Sequence, residues 1–187
     1  MRWLTRELAR WLIKVVYMNY PKTTLFLGCI LLFVSTTFGQ KQIEPQYRLP
    51  RWISQIYNND NSLRSNYEIS DYINPFYLEG DFNGDSLIDI AIAIKEKSTQ
   101  KRGVLIVNRS NKEYFIIGAG KKFGSGGDDF EWLDIWTVYR ERFIEDPATF
   151  SKVVKLNHPA ISVEASERFS AIIYWNGITY VWFQQGI

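Results

Sequence analysis

Very few residues of the kinds that carry most small-protein chemistry occur in this chain. A single cysteine, Cys29, among 187 residues rules out an intramolecular disulfide, a Cys-x-x-Cys redox pair and a Cys-rich metal site. A single histidine, His158, leaves any Ser-His-Asp arrangement only one base, and no G-x-S-x-G elbow accompanies it. Histidine-rich zinc chemistry is excluded by the same count. His158 precedes Pro159 at the expected start of a strand, where a structural or exposed role is the plainer reading. Excess charge is scarce too. The formal net charge is +2, but the first 39 residues hold Arg2, Arg6, Arg10, Lys14 and Lys22 against Glu7 alone. Without them 17 basic residues (22 less 5) face 19 acidic ones (20 less 1), a net of −2, so the body has no electrostatic footprint for nucleic acid. A phosphate loop is missing as well. GAGKKFG, from Gly118, lacks the G-x-x-x-x-G-K-[ST] order, and the following GSGGDD places carboxylates where an anion would sit.

No apolar run is long enough for a comfortable membrane span. Thr24 to Phe38 has instead the length of a signal-peptide core, and Thr37 and Gly39 supply small residues for cleavage before Gln40. Residues 1–39 are therefore expected to be a signal peptide, and the product to be exported, periplasmic or secreted, without a thiol. A lipid anchor on Cys29 is the weaker alternative, because Phe26 and Leu27 are bulky where that signal prefers small or branched residues. Trp3, Leu4, Leu8, Trp11, Leu12, Val15 and Val16 fall on one helical side, a pattern suited to a membrane surface. The simpler account makes Met18 the true start. An uncleaved leader is the only membrane contact expected. Residues 40–48 are polar, carry Pro45 and suit a tether.

What is present is a β-rich body. Hydrophobic residues make up 46% of the chain and aromatic ones 16%, enough for one ordinary core and one domain, residues 49–187. A short helix is expected after Pro50, with Trp52, Ile53, Ile56 and Tyr57 on one face and its end within Asn58 to Ser65. Strands are expected at Phe76 to Glu79, Ile88 to Ile94, Gly103 to Asn108, Tyr114 to Gly118, Ile135 to Tyr139, Val153 to Leu156 and Ile161 to Ala165. Asn176-Gly177 predicts a two-residue type I′ hairpin between Ser170 to Trp175 and Ile178 to Phe183. That register sets Trp175 opposite Ile178, Ile173 opposite Tyr180 and Ile172 opposite Val181. Both faces of the hairpin are apolar, which predicts cover on both sides or an aromatic surface for a partner.

The most informative stretch is Glu79 to Ile94, EGDFNGDSLIDIAIAI. Asp81, Asn83, Asp85 and Asp89 occupy positions 1, 3, 5 and 9 of a loop, and the Leu87 carbonyl occupies position 7. This spacing lets oxygens converge on a hard cation such as Ca2+. Carboxylates a few Å apart disfavour one another's ionised form unless a cation neutralises them. The plain alternative is an Asx-rich turn between two strands. An EF-hand is excluded, because its Gly at position 6 and Glu at position 12 are here Ser86 and Ile92.

Gly80, Asp81, Phe82, Asn83, Gly84, Asp85 and Asp89, followed by Ile90, Ala91 and Ile92, resemble the calcium loop of FG-GAP and VCBS-type repeats. These are the strand-loop-strand units of integrin-like β-propellers. The likeness continues weakly through Gly103 to Asn108, Tyr114 to Gly118 and the glycines near Phe123. It implies structural Ca2+ held by Asp81, Asn83, Asp85 and Asp89. Ser86 stands where the family has Gly, at a cost of about 1 kcal/mol if that position is left-handed. The loop occurs once, and a propeller needs several blades. The expected fold is mainly β: a single antiparallel β-rich domain with a short N-terminal helix and one propeller-blade-like unit.

A second unusual stretch runs from Gly118 to Trp136. Asp128, Asp129, Glu131 and Asp134 offer a carboxylate pair for glycoside hydrolysis, Trp132 and Trp136 a stacking surface for sugar, and the glycines a close ligand approach. Turn caps and core tryptophans explain the same residues more simply. Asp128, Asp129 and Trp132 remain candidate ligand contacts, with no catalytic residue assigned. The functional expectation is an exported, non-enzymatic calcium-binding domain that contacts a protein or glycan in the envelope or outside it. The alternatives are a small carboxylate-dependent glycan hydrolase, and an inhibitor or immunity-type partner of another exported protein.

Overall fold

The computed structural model describes residues 44–146, 149–166 and 168–185; the expected signal peptide and residues 40–43 of the expected tether lie outside them. Pro50, with its φ already suited to a helix start, precedes α1 (Arg51–Asn59), which buries Ile53 and Tyr57, four residues apart on one face. Helical structure does not end there, as the run of polar residues suggested. The Asp60 side chain accepts the Leu63 N–H at 2.9 Å and so starts α2 (Asn61–Asn66). Residues 45–48, expected to be tether, instead form a 3-10 turn (Pro45–Arg48) docked on the body. The Gln46 carbonyl accepts from the Ser54 hydroxyl at 3.1 Å, and Arg48 pairs with Asp71 at 3.2 Å and lies over the Phe76 ring.

The remainder is antiparallel β, as expected. The first sheet contains β1 (Tyr67–Ile69), β2 (Tyr77–Gly80), β3 (Asp89–Glu96), β4 (Arg102–Val107) and β5 (Tyr114–Gly118). β2 and β1 pair in turn with the two halves of β3, and β4 and β5 follow on its other side. The second sheet, in the order β11-β10-β9-β6, joins β6 (Ile135–Tyr139), β9 (Ala160–Ala165), β10 (Phe169–Trp175) and β11 (Tyr180–Gln185). β7 (Phe143–Glu145) and β8 (Lys152–Lys155) form a separate hairpin.

Side-chain alternation stacks these pieces into layers. Ala91, Ala93, Val104, Ile106 and Ile117 of the first sheet meet Trp136, Ile161, Val163, Ala171 and Ile173 of the second in the central core. On the other face of the first sheet, Ile90, Ile92, Ile94, Leu105 and Val107 pack under Ile53, Tyr57 and Leu63 of the helices. Outside the second sheet, Ile172 and Ala160 pack with Ile144 of the small hairpin and with Leu156. β3 is thus buried on both faces from Asp89 to Ile94, and its alanines present a low surface to the bulky residues opposite.

The last hairpin is covered on both sides, but its register differs from the expected one. Trp175 pairs with Tyr180, Ile173 with Trp182 and Ile172 with Phe183, around a four-residue loop at 176–179. The Asn176 side chain caps that loop by accepting the N–H groups of Ile178 and Thr179, each at 2.9 Å, while its own N–H donates to the Thr179 carbonyl. Asn176 does not adopt the positive φ that a type I′ turn requires, and only Gly177 does, at 100°. The pairing shifts by two residues, so every side chain keeps its face.

Candidate functional site

The turn between β2 and β3 is built on aspartate and asparagine side chains that bond its own backbone. Asp81 Oδ1 accepts the Gly84 N–H at 2.8 Å and Oδ2 the Ser86 N–H at 2.9 Å. Asn83 Oδ1 accepts from Asp85 N–H, and the Asn83 amide donates to Asp85 Oδ2 at 2.8 Å. Asp85 Oδ1 accepts the Leu87 N–H at 2.8 Å. Two residues make the curl left-handed: Gly84 at φ 82° and Ser86 at φ 68°. Ser86 therefore carries the strain expected of a side chain at that position, about 1 kcal/mol.

Asp89 behaves differently from the other candidates. It is wholly buried, at 0% exposure, and its carboxylate closes the turn from within. Oδ2 accepts Phe82 N–H at 2.9 Å and Asn83 N–H at 3.2 Å; Oδ1 accepts Arg109 N–H at 2.9 Å. Burial raises its pKa, against the lowering effect of these three donors. The pKa of Asp85, exposed at the tip, is lowered, first by a hydrogen bond with the Ser110 side chain and then by Asn83 and Leu87 N–H. Loop 108–113 is tied to the acidic turn through the Arg109 N–H, which donates to Asp89.

Groups distant in sequence complete the surroundings. Tyr180, at the start of β11, donates its hydroxyl to Asn108 Oδ1 at 2.8 Å in a buried bond. Burial, and then the negative charges of Asp89, Asp85 and Asp81, raise the Tyr180 pKa. The His158 ring lies so close to Gly84 that a Cβ there would sit 2.6 Å from His158 Cδ2. His158 Nδ1 is buried and has no hydrogen-bond partner among the described residues. Neither contact has a local sequence signal, because each joins segments some 70 residues apart.

The second acidic stretch lies at the other end of β3, roughly 20 Å away along the strand at about 3.4 Å per residue. Asp129 Oδ1 accepts the N–H groups of Arg102 and Glu131, Asp128 pairs with Lys101, and Asp134 accepts the Ser166 N–H at 2.9 Å. Lys101 holds the Asp128 carboxyl below its ordinary value, whereas a glycosidase's general acid needs its pKa raised. The tryptophans are packed. Trp136 is buried and bonds the Pro75 carbonyl at 2.6 Å; Trp132 bonds Gly126 O at 2.9 Å amid Phe130, Phe169 and Trp182. The glycines make room for Trp182, whose ring a Cβ on Gly124 would strike. These residues serve as caps, an ion pair and packing.

Among the described residues, no three His, Cys, Asp or Glu side chains gather into a metal-holding group, and no helix is long and apolar enough to cross a membrane. The oxygens of Asp81, Asn83, Asp85 and the Leu87 carbonyl are nonetheless hard donors on one exposed turn, the type that Ca2+ takes. No protein family, curated protein or solved structure matches the chain.

Proposed function

We propose that this is an exported, non-enzymatic binding domain whose β2–β3 turn takes up Ca2+ as a structural staple, in the manner of the FG-GAP and VCBS-type loops it resembles. One observation carries the reading: three carboxylates within nine residues share one turn, and among the described residues no cationic side chain pairs with any of them. A divalent ion relieves the mutual repulsion of the three charges. Asp81, Asn83, Asp85 and the Leu87 carbonyl hold it. Asp89, committed to backbone donors, adds its charge and keeps the turn closed.

The ion orders residues 81–88 at the point where loop 108–113, the start of β11 and His158 converge. It raises stability by mass action, by about 2.7 kcal/mol when free calcium is a hundredfold above its dissociation constant. Melting the full chain in millimolar calcium and in EDTA tests this. Calcium should raise the melting temperature of the wild type, and Asp81→Ala or Asp85→Ala should abolish the response. Superimposable wild-type curves in the two solutions would remove the proposal.

A further inference from the structure

A sheet is kept from adding further strands when its outer strands are short, charged or covered. All the outer strands of the two sheets but one are short or covered. β1 has three residues and α2 beside it, and β2 has four and lies near β6. That approach also screens β6, where Trp136 bonds the Pro75 carbonyl at 2.6 Å. On β11, Tyr180 is 3% exposed and the 3-10 turn Gly124–Gly126 lies on Trp182. β5 differs. Among the described residues only β4 runs along it, and its sequence, YFIIG, has no charge, no proline and no bulge.

The ladder identifies its free groups. Antiparallel strands turn the N–H and C=O of alternate residues toward the partner and away from it. The Asn108 N–H donates to the Glu113 carbonyl at 2.9 Å and the Ala119 N–H to the Arg102 carbonyl at 2.8 Å, so residues 113, 115, 117 and 119 face β4. Tyr114, Ile116 and Gly118 therefore face outward. The Gly118 carbonyl is taken by the Lys121 N–H at 2.9 Å. The backbone N–H and C=O of Tyr114 and Ile116 have no partner among the described residues, and both residues are only half-buried.

We propose that β5 pairs antiparallel with β5 of a second copy of this chain, across a twofold axis at Phe115. Two donors and two acceptors spaced two residues apart are complementary to the same set turned through half a circle. Tyr114 then faces Ile116 of the second copy, and Ile116 faces its Tyr114. Each pair exchanges two N–H···O bonds, which uses every free group named above. On the side that packs under the helices, the same pairs set an aromatic ring against a β-branched side chain. On the other side the two Phe115 rings oppose each other, next to Trp175 and Tyr180. No charged residue lies in the paired stretch. A disordered peptide would use these groups only after ordering itself, whereas a second β5 is already a strand. The interface is small, so the dimer dissociates on dilution.

Neither the ion nor the acidic turn enters this inference. Sedimentation of the full chain from micromolar to millimolar concentration, with amide hydrogen exchange at both ends of that range, tests it. The mass should rise toward that of two chains. In dilute protein the Tyr114 and Ile116 amides should exchange quickly, between protected neighbours at Phe115 and Ile117. Once about nine chains in ten are paired they should slow about tenfold, because exchange then passes through the monomer. Ile116→Pro removes one outward N–H, leaves the bonds to β4 and should stay monomeric. If that variant loses protection at Phe115 it has not folded, and the wild-type exchange pattern decides alone. The proposal is overturned by a wild-type mass that stays at one chain, by association that leaves Tyr114 and Ile116 fast, or by a folded Ile116→Pro that associates like the wild type.

Discussion

Asp89 holds a carboxylate where water does not reach, with three backbone N–H donors as its whole solvation. Replacing it with Asn keeps the size but turns one acceptor into a donor that faces an N–H. An unsatisfied buried pair of that kind costs about 1–3 kcal/mol. Asp89→Asn should therefore lower the unfolding free energy by about that amount in EDTA, read from chemical denaturation. The pH dependence has a definite sign. Because the folded pKa of Asp89 is raised above 3.8, the folded chain binds a proton in that window that the unfolded chain does not. Its contribution to stability grows as pH falls from the raised value toward 3.8 and shrinks as pH rises. The gap between wild type and Asp89→Asn should widen on acidification through this window. Asp85, whose pKa is lowered, acts oppositely, losing its contribution as pH falls below the ordinary carboxylate value, but it is present in both proteins and cancels.

At the scale of elements, legibility followed the number of apolar residues available to set a period. Tyr114–Gly118 and Ile135–Tyr139 have the ends that their alternation predicts. α2 has one buried residue, Leu63, so no period exists to detect, and its real signal is the Asp60 cap. β7 is three residues long, too short for alternation to register, and is held by the strand it pairs with. At the last hairpin the Asn-Gly pair located the turn but not its type, because an Asn side chain can cap a longer loop as readily as its backbone can enter the left-handed region. Asn176→Ala removes two side-chain hydrogen bonds at 2.9 Å on an exposed turn. Loss of such a cap costs about 1 kcal/mol. The lower melting temperature should come without a register slip, because both faces of β10 are packed, and a cross-strand contact between Ile173 and Trp182 in NMR spectra should persist.

For the molecule as a whole, the acidic turn was legible because its oxygens lie within nine residues, while the contacts that give it reach were not. Arg109 and His158 reach it only because the fold brings distant segments together, and the aspartates at 128 and 129 lie at the far end of β3. Asp89 pins the Arg109 backbone, and the Arg109 guanidinium lies over the Trp52 ring of α1. An ion that orders the turn thereby steadies the loop that rests on α1. Amide hydrogen exchange in loop 108–113 should therefore slow when calcium replaces EDTA around the full chain, while exchange in β10, packed on both faces, should not change. Asp85→Ala should remove that difference, because it takes a ligand from the ion while the sheets and α1 stay in place.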